Sequence, residues 1–164
     1  MKPTCVISCP IDTFSGYGAR SRDFVKALIK VKGEEWDIKI LPQRWGECPW
    51  NYLSQDDPLR KRFIRGINND NRPEIWMQVT VPNEFAPVGS VYNIGVSAGI
   101  ESNIYPGSWI EGSNKMNLNF LSSQHSKNIL DNTQLEKRDN KTNQQIGTVK
   151  FEGTSEVLFE GVDL

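Results

Sequence analysis

Between Glu74 and Leu130 one pattern recurs three times: a short apolar run, Ile75–Val81, Val91–Ser97 or Met116–Leu121, closed by a polar turn. Pro82, Gly89, Gly99 and the Ser122-Ser123 pair bound these runs. Runs this short between turn residues favour buried strands over core helices, which need longer stretches. Polar side chains then collect at the strand ends, among them Glu84, Ser97, Glu101, Ser122, Ser123 and His125. In open α/β sheets ligands bind beyond the carboxyl ends of the strands, so this stretch is where a site is expected.

The amino-terminal segment supplies the connection that orients such a sheet. Thr4–Cys9 is an apolar run, and a loop carrying Gly16-Tyr17-Gly18 follows it. From Ala19 the pattern is helical, with Phe24, Ala27, Leu28 and Val31 on one face and Arg20, Arg22, Lys26 and Lys30 off it. Gly33 ends the helix, and Trp36–Leu41 alternates before Pro42 closes it as a second strand. Strand, helix, strand is a βαβ unit and implies a parallel sheet. A glycine turn before a helix places backbone amides where a phosphate can bind. As a dinucleotide fingerprint it fails: Ser21 replaces the third glycine, and Leu41-Pro42 ends the second strand with no acid for a ribose. A tight turn without a ligand and a phosphate-facing loop both remain open from this motif alone.

Residues 42–58 hold three prolines and two tryptophans without a period and read as an ordered irregular loop. Leu59–Ile67 reads as a short amphipathic helix with Leu59, Phe63 and Ile67 on its apolar side. Ser122 or Ser123 suits the cap of a later helix containing Ile129 and Leu130. His125 falls in its first turn, where the helix dipole disfavours an imidazolium. Residues 131–153 are an exposed polar excursion with a hairpin expected around Ile146–Phe151, after which Val157–Phe159 forms a further strand. A strand running straight into Gly161-Val162-Asp163 raises the expectation of a following domain.

Charge and cysteine content narrow the function classes. The 164 residues carry 19 basic and 20 acidic side chains, a balance that gives nucleic acid or an anionic membrane no general attraction. The length suits one domain. Cys5, Cys9 and Cys48 are an odd count without a CxxC pair, which reads as reduced thiols and not as a zinc site. No signal-like segment opens the chain and no apolar run is long enough to span a bilayer, so a cytoplasmic setting is expected.

Several motifs then fall into one order: Ser15-Gly16-Tyr17-Gly18, Pro82-Asn83-Glu84-Phe85, the run Asn93 to Glu101 (NIGVSAGIE), Trp109, Ser122-Ser123-Gln124-His125, and Val157 to Asp163 (VLFEGVD). Nearly all of the chain outside 131–153 thereby resembles the N-terminal half of GT-B glycosyltransferases, nearest to the retaining group found in bacteria and phages. The resemblance implies a Rossmann-like three-layer α/β domain with a mostly parallel sheet over residues 1–160. It implies a linker from residue 161 into a C-terminal donor domain that these 164 residues do not include. It assigns donor-phosphate binding to Gly16, Tyr17 and Gly18, with Arg20 as charge partner. It assigns acceptor binding to Glu84, Ser97, Gly99, Trp109, Ser123 and His125, and places Glu101 as the candidate catalytic residue. The implied substrates are a nucleotide sugar and an acceptor glycan or other acceptor, with no cofactor and no metal. In such retaining enzymes the departing phosphate helps deprotonate the acceptor. The chain alone would be inactive or feeble. The alternative is a non-catalytic α/β module derived from such a domain that binds a carbohydrate or a partner.

Overall fold

The computed structural model describes residues 2–89 and 91–161. Eight strands and three α-helices are found among them: β1 (Thr4–Cys9), α1 (Gly16–Lys32), β2 (Asp37–Pro42), β3 (Ile75–Val79), β4 (Tyr92–Ser97), α2 (Gly107–Ser113), β5 (Leu118–Leu121), α3 (Gln124–Asn132), β6 (Gln134–Arg138), β7 (Gln145–Lys150) and β8 (Ser155–Val157). Six strands make one mostly parallel sheet in the order β2-β1-β3-β4-β5-β8, and β6 pairs with β7 as a separate antiparallel ribbon. The parallel sheet expected from the βαβ pattern, mostly realised, and the Rossmann-like α/β class implied by the resemblance are therefore the architecture observed. The expected linker at 161–164 falls mainly on residues 162–164, outside the described residues.

The chain divides into two compact units, the first comprising Met1–Thr80, Val88–Ile94 and Glu160–Leu164, the second Val81–Pro87 and Gly95–Phe159. In the first unit β1 lies between β2 and β3 and is parallel to both, with Val6 opposite Lys39 on one side and Trp76 on the other. A strand covered on both faces has no solvent side, which is why TCVISC is apolar nearly throughout and does not alternate. Cys5, Val6, Ile7 and Cys9 are fully buried. Each buried Val or Ile contributes about 1.5–3 kcal/mol relative to exposure.

Helix α1 begins earlier than the periodicity suggests. Ser15 is its N-cap, and the side chain accepts a hydrogen bond from Gly18 N–H. The buried face also differs from the expected one. Gly18, Ser21, Arg22 and Val25 are inside, whereas Ala27 is exposed and Val31 is 69% exposed. Small and hydrogen-bonded residues allow close approach to the loop after β1, a benefit that a count of apolar positions does not register. The helix expected over Leu59–Ile67 is also corrected: only a 3₁₀ turn, Pro58–Arg62, forms, capped by Asp57. Ile64 N–H donates to Ile40 O, so the chain turns extended to follow β2 before a helix could continue.

In the second unit Tyr105, Ile110, Leu121 and Leu130 form the core, with Ile100, Trp109 and Ile129 packed against it. β8 extends the sheet beside β5, with Phe120 opposite Glu156. The hairpin expected near Ile146–Phe151 exists as β6 and β7, which are largely exposed.

Candidate functional site

In the first unit the loops that follow β1 and β2 meet at the carboxyl edge of those strands. Asp12 organises them. Its carboxylate is buried, accepts from Leu53 N–H at 2.8 Å, and pairs with Arg60 Nη2 at 3.1 Å. Arg60 also donates to the carbonyls of Ser54 and Leu53. Backbone bonds complete the join: Tyr52 N–H to Asp12 O, and Phe14 N–H to Pro49 O. The irregular 42–58 loop is thus ordered, as its composition suggests, by hydrogen bonds from a residue that the sequence reading did not single out.

Gly16, Tyr17 and Gly18 form the first turn of α1. A Cβ on Gly18 would lie 2.4 Å from Thr13 O, so this glycine lets the helix pack against the preceding loop. Gly16 has open space around it. Tyr17 stacks on Trp45 with ring centroids 4.2 Å apart. Arg20 sits one turn further along. Its side chain is only 9% exposed and its guanidinium pairs with Glu160. Nε of Arg20 is buried and has no hydrogen-bond partner among the described residues. Burial pushes the guanidinium pKa down, with Tyr17 opposing the shift. A buried cation beside a helix N-terminus, held by a single exposed carboxylate, is an electrostatic setting that favours an anion.

In the second unit Ser97, Gly99 and Ser123 do come together, in a network with Ser122 and Ser126. Ser97 Oγ accepts from Gly99 N–H, and Ser122 Oγ donates to Ala98 O. Ser126 Oγ accepts from Ile100 N–H at 3.1 Å and lies 3.1 Å from Ser123 Oγ, while Ser123 caps α3 by accepting from Ser126 N–H. Gly99 has φ of +85°, and a Cβ there would meet Ser126 Oγ at 2.3 Å. These hydroxyls lock the turn after β4 onto the N-terminus of α3.

The other expected site residues stand apart from that network. Trp109 lies on α2, half-buried against the core, with its ring 5.7 Å from Tyr105. Glu84 is exposed in the 3₁₀ turn Pro82–Glu84, Glu101 is exposed in the bend after β4, and His125 is exposed in the first turn of α3. Among the described residues no three His, Cys, Asp or Glu side chains converge on a point that would hold a metal ion.

Sequence reasoning also missed Arg22. It is buried, donates to Ile11 O and Thr13 O, and lies 3.5 Å from the centroid of the Tyr52 ring. The available signal was an arginine one helical turn after the glycine pair, which a hydrophobic-face reading assigns to solvent. No family model, curated protein or solved structure matches the chain.

Proposed function

We propose that this chain is the acceptor-side domain of a nucleotide-sugar glycosyltransferase of the retaining GT-B type, completed by a donor-binding domain. The observation that carries the proposal is Arg20, a nine-tenths buried cation with an unpaired Nε at the start of a 17-residue helix on the carboxyl side of β1. A diphosphate leaving group develops negative charge as the glycosidic bond breaks, and a desolvated cation with backbone amides stabilises that charge better than water does. In the proposed reaction the acceptor hydroxyl oxygen bonds to the anomeric carbon, the bond from that carbon to the diphosphate breaks, and the hydroxyl proton leaves on the departing phosphate. Gly16, Tyr17 and Gly18 take the phosphate side. Glu84, Ser97, Gly99, Trp109, Ser123 and His125 take the acceptor side, and Glu101 orients the hydroxyl. A cytoplasmic setting belongs to the same reading, and free Cys5, Cys9 and Cys48 are compatible with a reducing compartment.

The serine network favours a second reading. Ser97, Ser122, Ser123 and Ser126 all spend hydroxyl hydrogen bonds on the fold. That suits a binding module without turnover.

Calorimetric titration of UDP-glucose and GDP-mannose tests the proposal. Binding to this chain should be weak, with Kd in the millimolar range, about −4 kcal/mol. Arg20→Ala should weaken it roughly tenfold. Transfer activity should appear only when a donor domain is supplied and should fall in Glu101→Gln. No nucleotide-sugar binding, or binding indifferent to Arg20, overturns the donor assignment. Binding without transfer when the donor domain is present favours the module.

A further inference from the structure

We propose that Phe14 and Tyr52 form a sugar-stacking platform at the carboxyl edge of β1 and β2 in the first unit. The inference goes beyond the transferase reading. The binding claim itself rests on local geometry.

Phe14 is 55% exposed and Tyr52 47% exposed, and their rings form an edge-to-face pair with centroids 5.0 Å apart. The backbone that carries both rings is tied down. Phe14 N–H donates to Pro49 O and Tyr52 N–H to Asp12 O, and the next residue, Leu53, donates to the buried Asp12 carboxylate. Arg22 fixes the Tyr52 ring from one side at 3.5 Å. A platform held in place before binding loses little conformational entropy when a ligand arrives.

Three observations select the ligand class. The negative face of an aromatic ring attracts weakly positive C–H groups, and a pyranose presents one such C–H face. The flanking residues Asn51 and Gln55 are exposed amides, able both to donate and to accept, as sugar hydroxyls require. Two of the nearby cations are engaged: Arg22 donates to Ile11 O and Thr13 O, and Arg60 to Asp12, Leu53 O and Ser54 O, while the exposed Arg44 lies over the neighbouring Trp50 ring at 5.7 Å. With Arg22 and Arg60 engaged, the platform suits an uncharged ring.

The probes are the methyl glycosides of glucose, galactose, mannose and N-acetylglucosamine, read by saturation-transfer NMR and by shifts of the Phe14 and Tyr52 ring protons. At least one should bind with contacts to both rings. Phe14→Ala should raise its Kd about tenfold. Tyr52→Ala should do the same, and Tyr52→Phe, which keeps the ring, should retain binding. Phe14→Ala removes an exposed side chain, and an unchanged thermal melting curve will show that the fold persists. UDP is the control ligand: its binding should not change in Phe14→Ala.

No binding of any of the four glycosides overturns the proposal. So does sugar binding that Phe14→Ala leaves unchanged, or preferential stacking of uridine or adenosine on these rings. Loss of the ring-proton shifts on adding a donor domain, without sugar competition, identifies a domain contact and also overturns it. Failure of the transferase reading is distinguishable: glycosides would still bind at Phe14, while no nucleotide sugar would bind at Arg20.

Discussion

At the scale of single residues, two glycines separated only by Tyr17 have opposite physical roles. A Cβ at position 18 meets backbone oxygen at 2.4 Å, while one at position 16 meets nothing within 4 Å. Gly18→Ala should therefore destabilise the fold by about 1–3 kcal/mol, as overpacking does. Gly16→Ala, within a helix, should be neutral or stabilising by up to about 1 kcal/mol. Urea denaturation of both variants checks the contrast. The cysteines make a second residue-scale prediction. Burial pushes Cys5 and Cys9 up from 9.0 to about 12, so the folded protein keeps them as thiols. Under native conditions at pH 8 a thiol reagent such as DTNB should modify one cysteine, the half-buried Cys48, and reach three only on denaturation. Because the folded values lie above the unfolded ones, the contribution of these thiols to stability is complete below about pH 8.5. It is lost as pH rises toward 12. Denaturant midpoints should fall across that alkaline window, and less steeply in a Cys5→Ala, Cys9→Ala double variant.

At the scale of elements, the ordering of the 42–58 loop depends on one carboxylate supplied by another loop. Asp12→Ala removes the acceptor for Leu53 N–H and leaves Arg60 without its anion. A cost of about 3–5 kcal/mol is expected, since removing one partner strands the other. Hydrogen exchange should accelerate at Tyr52 and Leu53 before the amides of β1, which separates loop release from global unfolding. Helix α1 yields the converse. Its exposed Val31 lies on the side that periodicity marks as apolar, yet Val31→Lys should change stability by no more than about 0.5 kcal/mol, because the buried side carries Gly18, Ser21, Arg22 and Val25. The serine turn is a third case: Ser126→Ala deletes the acceptor for Ile100 N–H and should cost about 1–3 kcal/mol.

At the scale of the whole molecule, the strand order β2-β1-β3-β4-β5-β8 is that of an open, mostly parallel sheet, and β2, β1 and β3 run to a common carboxyl edge. The residues expected to bind donor phosphate belong to the first compact unit, as does the Phe14 and Tyr52 platform, and those expected to bind acceptor belong to the second. If the proposed function holds, adding a nucleotide sugar to the chain supplied with a donor-binding domain should raise the apparent melting temperature, and Arg20→Ala should reduce that rise, because a ligand stabilises only through the state it binds. Thermal shift at fixed protein concentration checks this.

What the sequence determined by itself was whatever short-range patterning controls. The buried run Thr4–Cys9 matched β1 residue for residue, one of the two expected caps, Ser123, started α3, and the polar 131–153 segment held its hairpin, because burial on two faces, an N-cap and strand pairing across a turn each act over a few residues. Tertiary structure alone decided which face of α1 goes inside and that Leu59–Ile67 stops as a 3₁₀ turn. It likewise decided that Asp12 reaches Arg60 across 48 positions and that Arg22 lies under Tyr52. Those outcomes depend on close backbone approach and on hydrogen bonds between distant segments. The expected acceptor residues divided on the same line: Ser97, Gly99 and Ser123 meet because a left-handed glycine and a helix cap require each other's atoms. Glu84, Glu101 and His125 remain exposed, since a polar residue at a strand end is directed by its neighbours in space and not by its neighbours in sequence.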